Sequence, residues 1–175
     1  EPPAITFDGD DEDWKAAGVE PIAAGKDAVG SLYAFRDANA LYVMSTIKNA
    51  DWSKNYAIST NLLVNADGNA RTGYQAAAFK QGSGAEFLVQ DWFSNNVEGQ
   101  DPKNVEFFRS NGDGWTKIGD EGSDYEYKKY VDKGDYATVE YMIPISVMEA
   151  NIGSVSDDIY IAIDRADPTL QTGTE

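Results

Sequence analysis

At 175 residues, with 30 acidic against 14 basic side chains, the chain has a formal charge of −16 and contains neither Cys nor His. Without Cys there is no disulfide framework, thiolate metal site or dithiol redox centre, and without His the common zinc sites, Ser-His-Asp triads and imidazole bases are excluded. The negative charge opposes nucleic acid and anionic membrane surfaces as partners, and no apolar run approaches the roughly 20 residues of a membrane-spanning helix, so no membrane insertion is expected.

The length suits a single domain, residues 1–175, with a core large enough to need no disulfides. A start at Glu1-Pro2-Pro3, with no initiator Met or signal peptide, reads as a mature or excised piece of a larger multidomain protein, secreted or on the cell surface.

In chain order, Asp8, Asp10, Asp11, Glu12 and Asp13 open the sequence as an acidic cluster, either a solvated loop or a cation site, with Trp14 expected to pack as its lid. The stretch from Asp8 to Gly30 has few strand signals and is expected to wrap one end of the fold. Ser31 to Arg36 and Ala40 to Lys48 then read as a hairpin, because Asp37-Ala38-Asn39 between them favours a tight turn. In its second strand Leu41, Val43, Ser45 and Ile47 form the alternate set expected to face the core.

Tyr56 to Val64 reads as a third strand, Tyr74 to Phe79 as another, and Ala85 to Gln90 as one in which Phe87 and Val89 oppose Glu86, Leu88 and Gln90. Val105 to Arg109 and Trp115 to Ile118 flank Ser110-Asn111-Gly112-Asp113-Gly114, a strong hairpin turn. Tyr125 to Val131 and Tyr136 to Ile145 form a further hairpin, with Pro144 at an edge or a strand end. Ser146 to Asn151 suits one helical turn, and Ile159 to Asp164 is the last strand, with its three Ile on one side. The whole predicts an all-β fold, an antiparallel β-sandwich with jelly-roll-like topology.

Asn65, Asp67 and Asn69 place side-chain oxygens at alternate positions, as in the opening half of an EF-hand calcium loop. Ala76 stands where the closing acidic ligand would be, so a calcium ion here needs ligands from elsewhere: Glu86 on the following strand and the carbonyl of Arg71. Such an ion would be structural. An Asx-rich turn with no metal is the other reading.

Four Trp and ten Tyr exceed what one small core requires, and the faces of aromatic rings stack on sugar rings while amides bond the hydroxyls. Trp52 and Trp92 are expected in polar loops as the stacking residues, with Asn55, Gln90, Asn95 and Asn96 as hydroxyl contacts; each Trp could instead plug a loop onto the core. Trp115 beside its turn reads as cross-strand packing. Paired carboxylates without a recognisable acid and nucleophile give no specific sign of glycoside hydrolysis, so no enzyme is expected.

Several stretches resemble one family. Phe7-Asp8-Gly9-Asp10-Asp11-Glu12-Asp13-Trp14, Leu41-Tyr42-Val43 after Asp37-Ala38-Asn39, Asn65 to Tyr74, Gly84-Ala85-Glu86-Phe87 and Val139-Glu140-Tyr141-Met142-Ile143-Pro144-Ile145 are similar, in this order, to the motifs of family 9 carbohydrate-binding modules and the related DOMON-like sandwiches. The resemblance implies a β-sandwich that binds a polysaccharide or oligosaccharide; haem-binding members of that group use Met and His ligands, and this chain has no His. A structural or adhesion domain of a surface layer or scaffold, with a protein partner, is the alternative. Its loop Trp residues would be buried at an interface or in the core.

Overall fold

The computed structural model describes residues 5–6, 12–22, 24, 29–48, 57–75, 84–94, 106–120, 126–128, 136–165 and 172–174. Among these the elements are α1 (Glu12–Ala16), β1 (Val29–Arg36), β2 (Ala40–Lys48), β3 (Ala57–Asn65), β4 (Phe87–Ser94), β5 (Glu106–Ser110), β6 (Trp115–Asp120), β7 (Glu126–Lys128), β8 (Tyr136–Pro144), α2 (Ile145–Ile152), β9 (Tyr160–Arg165) and β10 (Thr172–Thr174). One four-stranded sheet has the order β1-β2-β8-β7 and one six-stranded sheet the order β10-β9-β3-β4-β5-β6. The pairings are antiparallel throughout.

The expected sandwich follows from the strand pleat, which sends alternate side chains to opposite faces. Leu32, Leu41, Val43, Val139, Tyr141 and Ile143 of the smaller sheet pack against Leu62, Val64, Phe87, Val89, Phe107, Ile161 and Ile163 of the larger one. Ser45 shares the inward alternation of Leu41 and Val43, and is fully buried because its hydroxyl donates to the carbonyl of Ser31 at 3.1 Å.

The β1–β2 turn is held as its residues predict, since Asp37 Oδ1 accepts the N–H groups of Asn39 and Ala40, each at 2.8 Å. In the β5–β6 turn Gly112 has φ 101°, a conformation that residues with a Cβ avoid, and Asn111 Oδ1 accepts the Gly114 N–H at 2.9 Å. Pro144 ends β8, a strand interior to its sheet rather than an edge, and α2 begins immediately after it. Buried Ile145 and Met148 turn that helix onto the core, and Gly153 at φ 91° stops it. Tyr74, expected to open a strand, forms an isolated bridge with Ala85, and the remainder of that expected strand, residues 76–79, lies outside the described residues.

The amino-terminal segment differs from a wrap around one end. Residues 12–16 form a helical turn over the outward face of the four-stranded sheet, where Phe35 and Tyr42, partners in register, stack at 4.6 Å and 11°. Trp14 meets Phe35 edge-on at 5.7 Å, and its indole N–H donates to Glu140 Oε1 at 2.5 Å. Both Trp14 and Glu140 are fully buried, so this bond satisfies a polar group on each side of a dry contact. Asp8, Asp10 and Asp11 lie outside the described residues.

Trp14→Phe retains the ring packing but leaves the Glu140 carboxylate without its indole donor, and is expected to cost about 1–3 kcal/mol in urea unfolding. Trp14→Ala also empties the ring site, and its cost should be larger, about 3–5 kcal/mol. Equal stabilities for wild type and Trp14→Phe would show that the hydrogen bond contributes nothing.

Candidate functional site

Because Leu62, Val64, Phe87, Val89 and Phe107 point inward, the intervening residues of β3, β4 and β5 occupy the outward face of the six-stranded sheet. Register aligns them into rows across the strands. One row runs through positions 164, 61, 90 and 106, in β9, β3, β4 and β5. Within it Gln90 Nε2 donates to Asn61 Oδ1 at 2.7 Å, and Glu106 Oε2 forms an ion pair with Lys117 Nζ of β6 at 3.6 Å. This pair is largely exposed and contributes little to stability, but it places a carboxylate and an ammonium beside two carboxamides.

The neighbouring row is apolar. Ala162, Leu63, Leu88 and Phe108 follow one another across β9, β3, β4 and β5. Leu63, Leu88, Ala85 and Ala162 are buried there beneath half-buried Tyr74, Phe108, Trp115 and Tyr160, a small second core on the outside of the sheet. Tyr74 and Trp115 touch with ring centroids 5.0 Å apart and planes tilted by 38°. Trp115, expected to pack across its hairpin, thus meets Tyr74 of the returning loop.

Of the expected sugar contacts, Gln90 lies in this polar row. Trp92, expected in a loop, stands instead within β4, two residues beyond Gln90, because pairing with β3 continues to Ser94 and sets its Cα opposite Ser59. Trp52, Asn55, Asn95 and Asn96 lie outside the described residues. Asn61, Glu106, Phe108 and Lys117 were not singled out from the sequence. Alternation marks Asn61 as outward once Leu62 and Val64 are assigned inward, but only the strand register brings it to Gln90.

The Asn65 to Tyr74 segment closes the far end of the same face. Its polar side chains serve the loop's own backbone: Asn65 Oδ1 accepts from Gly68 N at 3.0 Å, Asp67 Oδ1 from Asn69 N at 2.8 Å, and Asn69 Oδ1 from Arg71 N at 3.0 Å. Thr72 Oγ1 donates to Asp67 Oδ2 and the Tyr74–Ala85 bridge supplies bonds of 2.8 and 2.9 Å, so both ends of the loop are fixed.

Glu86 lies beneath this loop, 6% exposed, and belongs to the outward alternation of Leu88 and Gln90. Its Oε1 accepts the N–H groups of Ala66 at 2.7 Å and Asp67 at 3.2 Å. Its Oε2 is buried with no hydrogen-bond partner. Glycine at 73 and at 84 permits the close approach, since a Cβ at Gly73 would overlap Glu86 Oε2 and one at Gly84 would lie 2.6 Å from the carbonyl oxygens of Asn69 and Thr72.

Desolvation is the main reason the Glu86 carboxyl titrates at about 8 instead of 4.5; the nearby Asp67 charge adds to the shift, and the two backbone N–H bonds oppose it. Among the described residues no three acidic side chains gather at one point. In the loop the Asn65, Asp67 and Asn69 side-chain oxygens accept bonds from the loop's own N–H groups, and Asp67 lies close enough to Glu86 for their charges to interact.

No family model and no curated protein matches the chain. Among solved structures, a family 9 carbohydrate binding module from Caldicellulosiruptor kristjanssonii in complex with glucose is 15% identical, with a TM-score of 0.43 over 98% of this chain and 80% of that one. The module from the same organism in complex with cellotriose is 16% identical, with a TM-score of 0.39 over 99% of this chain and 78% of that one.

In metal-free, chelator-containing buffer the raised Glu86 carboxyl has a definite sign. The unfolded chain releases this proton near pH 4.5 while the folded chain keeps it to about 8. Its contribution to stability is thus greatest below pH 4.5 and declines as pH rises to 8, by at most about 1.4 kcal/mol per pH unit. Glu86→Gln should flatten this part of a urea-unfolding profile; an unchanged slope would rule out Glu86 as its source.

Proposed function

We propose that the chain is a noncatalytic carbohydrate-binding module of a larger secreted or cell-surface protein, taking an oligosaccharide or polysaccharide on the outward face of its six-stranded sheet. The observation that supports this most is the polar row of Asn61, Gln90 and Glu106, the last ion-paired with Lys117, set beside half-buried Phe108, with Trp92 on the same strand as Gln90. Amides and charged groups of this kind bond sugar hydroxyls, and aromatic faces pack on the C–H face of a pyranose.

Trp52, Asn55, Asn95 and Asn96 remain the proposed contacts from the adjoining segments. Among the described residues no helix is long and apolar enough to cross a membrane.

A structural calcium ion belongs to the same proposal. Glu86 and Asp67 would supply its two carboxylates, and Asn65, Asn69 and the carbonyl of Arg71 would supply neutral oxygens. The ion would meet the unpartnered Glu86 Oε2 and hold the loop against the sheet.

Calorimetric titration with a panel of soluble glycans tests the binding face. At least one glycan should bind, with little change as salt is raised, because neutral hydrogen bonds and stacking respond weakly to screening. Gln90→Ala and Trp92→Ala should each weaken it about tenfold, a loss of roughly 1.4 kcal/mol. Failure of the wild type to bind any glycan overturns the function, whereas wild-type affinity in both variants overturns the assigned contacts.

For the metal, protein refolded in chelator should melt several degrees lower than the same protein with calcium restored, since calcium at about 100 times its dissociation constant adds about 2.7 kcal/mol. Glu86→Gln should abolish the difference. Identical melting of the wild type with and without calcium would exclude the ion.

A further inference from the structure

We infer that Tyr74 and Trp115 form a second stacking position on the ligand face, and that the ligand is an extended glycan chain lying obliquely across β4, β5 and β6 rather than a single sugar. This rests on the carbohydrate-binding reading above. Tyr74 and Trp115 are half-buried, with ring centroids 5.0 Å apart, on the same outward face as Gln90. Both rings are fixed: Trp115 stands in β6 paired with Ser110, and the two-way bridge between Tyr74 and Ala85 holds the loop end in place. A preformed aromatic pair binds without the entropy loss of ordering mobile rings.

The register gives the separation. Ser110 N–H donates to the Glu86 carbonyl, which aligns Trp115 with position 86 of the chain, while Gln90 lies four residues along the same chain. Two inter-strand spacings of about 4.8 Å and four residue rises of about 3.4 Å place Trp115 roughly 17 Å from the Gln90–Asn61 pair. Phe108 lies between them, one strand from each, on the same half-buried surface. A monosaccharide cannot span that distance. A chain of several sugars can contact the amides at one end, cross Phe108 and stack on the Tyr74–Trp115 pair at the other.

Lys117 and Glu106 flank this path with opposite charges in one ion pair, which favours a neutral chain over a polyanionic one.

Calorimetric titrations of wild type with cello-, xylo- and laminari-oligosaccharide ladders, from monosaccharide to hexasaccharide, test the inference. In the ladder that binds, affinity should increase about tenfold between disaccharide and hexasaccharide. Trp115→Leu and Tyr74→Leu, which retain apolar cover over Leu88, should each remove that increase and leave disaccharide affinity unchanged. Melting temperatures of the two variants establish that each is folded under the titration conditions.

Affinity that does not grow with length in the wild type, or growth that survives in both variants, overturns the inference while leaving sugar binding intact. An equal loss for disaccharide and hexasaccharide would also overturn it, since a general packing defect weakens both. No binding of any ladder or other soluble glycan overturns the carbohydrate reading, and this inference with it.

Discussion

The period-two pleat of the six-stranded sheet is the constraint on which both core and candidate site depend. Burying Leu62, Val64, Phe87, Val89 and Phe107 between the sheets leaves no choice about where Asn61, Leu63, Glu86, Leu88, Gln90 and Phe108 go. A slip of one residue in β4 would move Gln90 inward and Val89 outward, losing apolar burial and leaving an amide in the core without its Asn61 partner. The large inter-sheet core therefore fixes the register, and the register composes the outward rows.

The same alternation explains the burial of Glu86. Its parity assigns it to a face that elsewhere meets solvent, but at that end the Asn65 to Tyr74 loop and the Tyr74–Trp115 contact cover the sheet. Two backbone N–H groups satisfy one carboxylate oxygen and leave the other buried without a partner. An apolar side chain would be the less costly occupant of such a position.

Local features of the chain were legible in the sequence, while features that need distant strands were not. The β1–β2 and β5–β6 hairpins could be read because Asp37 and Asn111 bond the backbone of their own turns. The inward sets of β2, β4 and β9 followed from alternation of Leu, Val, Phe and Ile. By contrast, Trp14 and Glu140 meet across 126 positions of sequence, and no local pattern encodes that partnership. β10, Thr172–Thr174, has no apolar alternation to announce it and is defined only by pairing with β9.

The candidate site follows the same division. Gln90 was recognisable as a polar residue at the end of a strand and Glu86 as an acid near the Asx-rich loop, whereas Trp92 read as a loop residue because the polar run around it hides the continuation of β4 to Ser94. That Asn61 bonds Gln90, that Phe108 floors the face and that Tyr74 meets Trp115 depends on the order β3-β4-β5-β6 and on the loop that returns Tyr74 to Ala85.

Loop and face are also mechanically continuous, because Glu86 and Gln90 lie on one chain segment joined to β3 and β5 by backbone hydrogen bonds. The loop that buries Glu86 forms a wall at one end of the face.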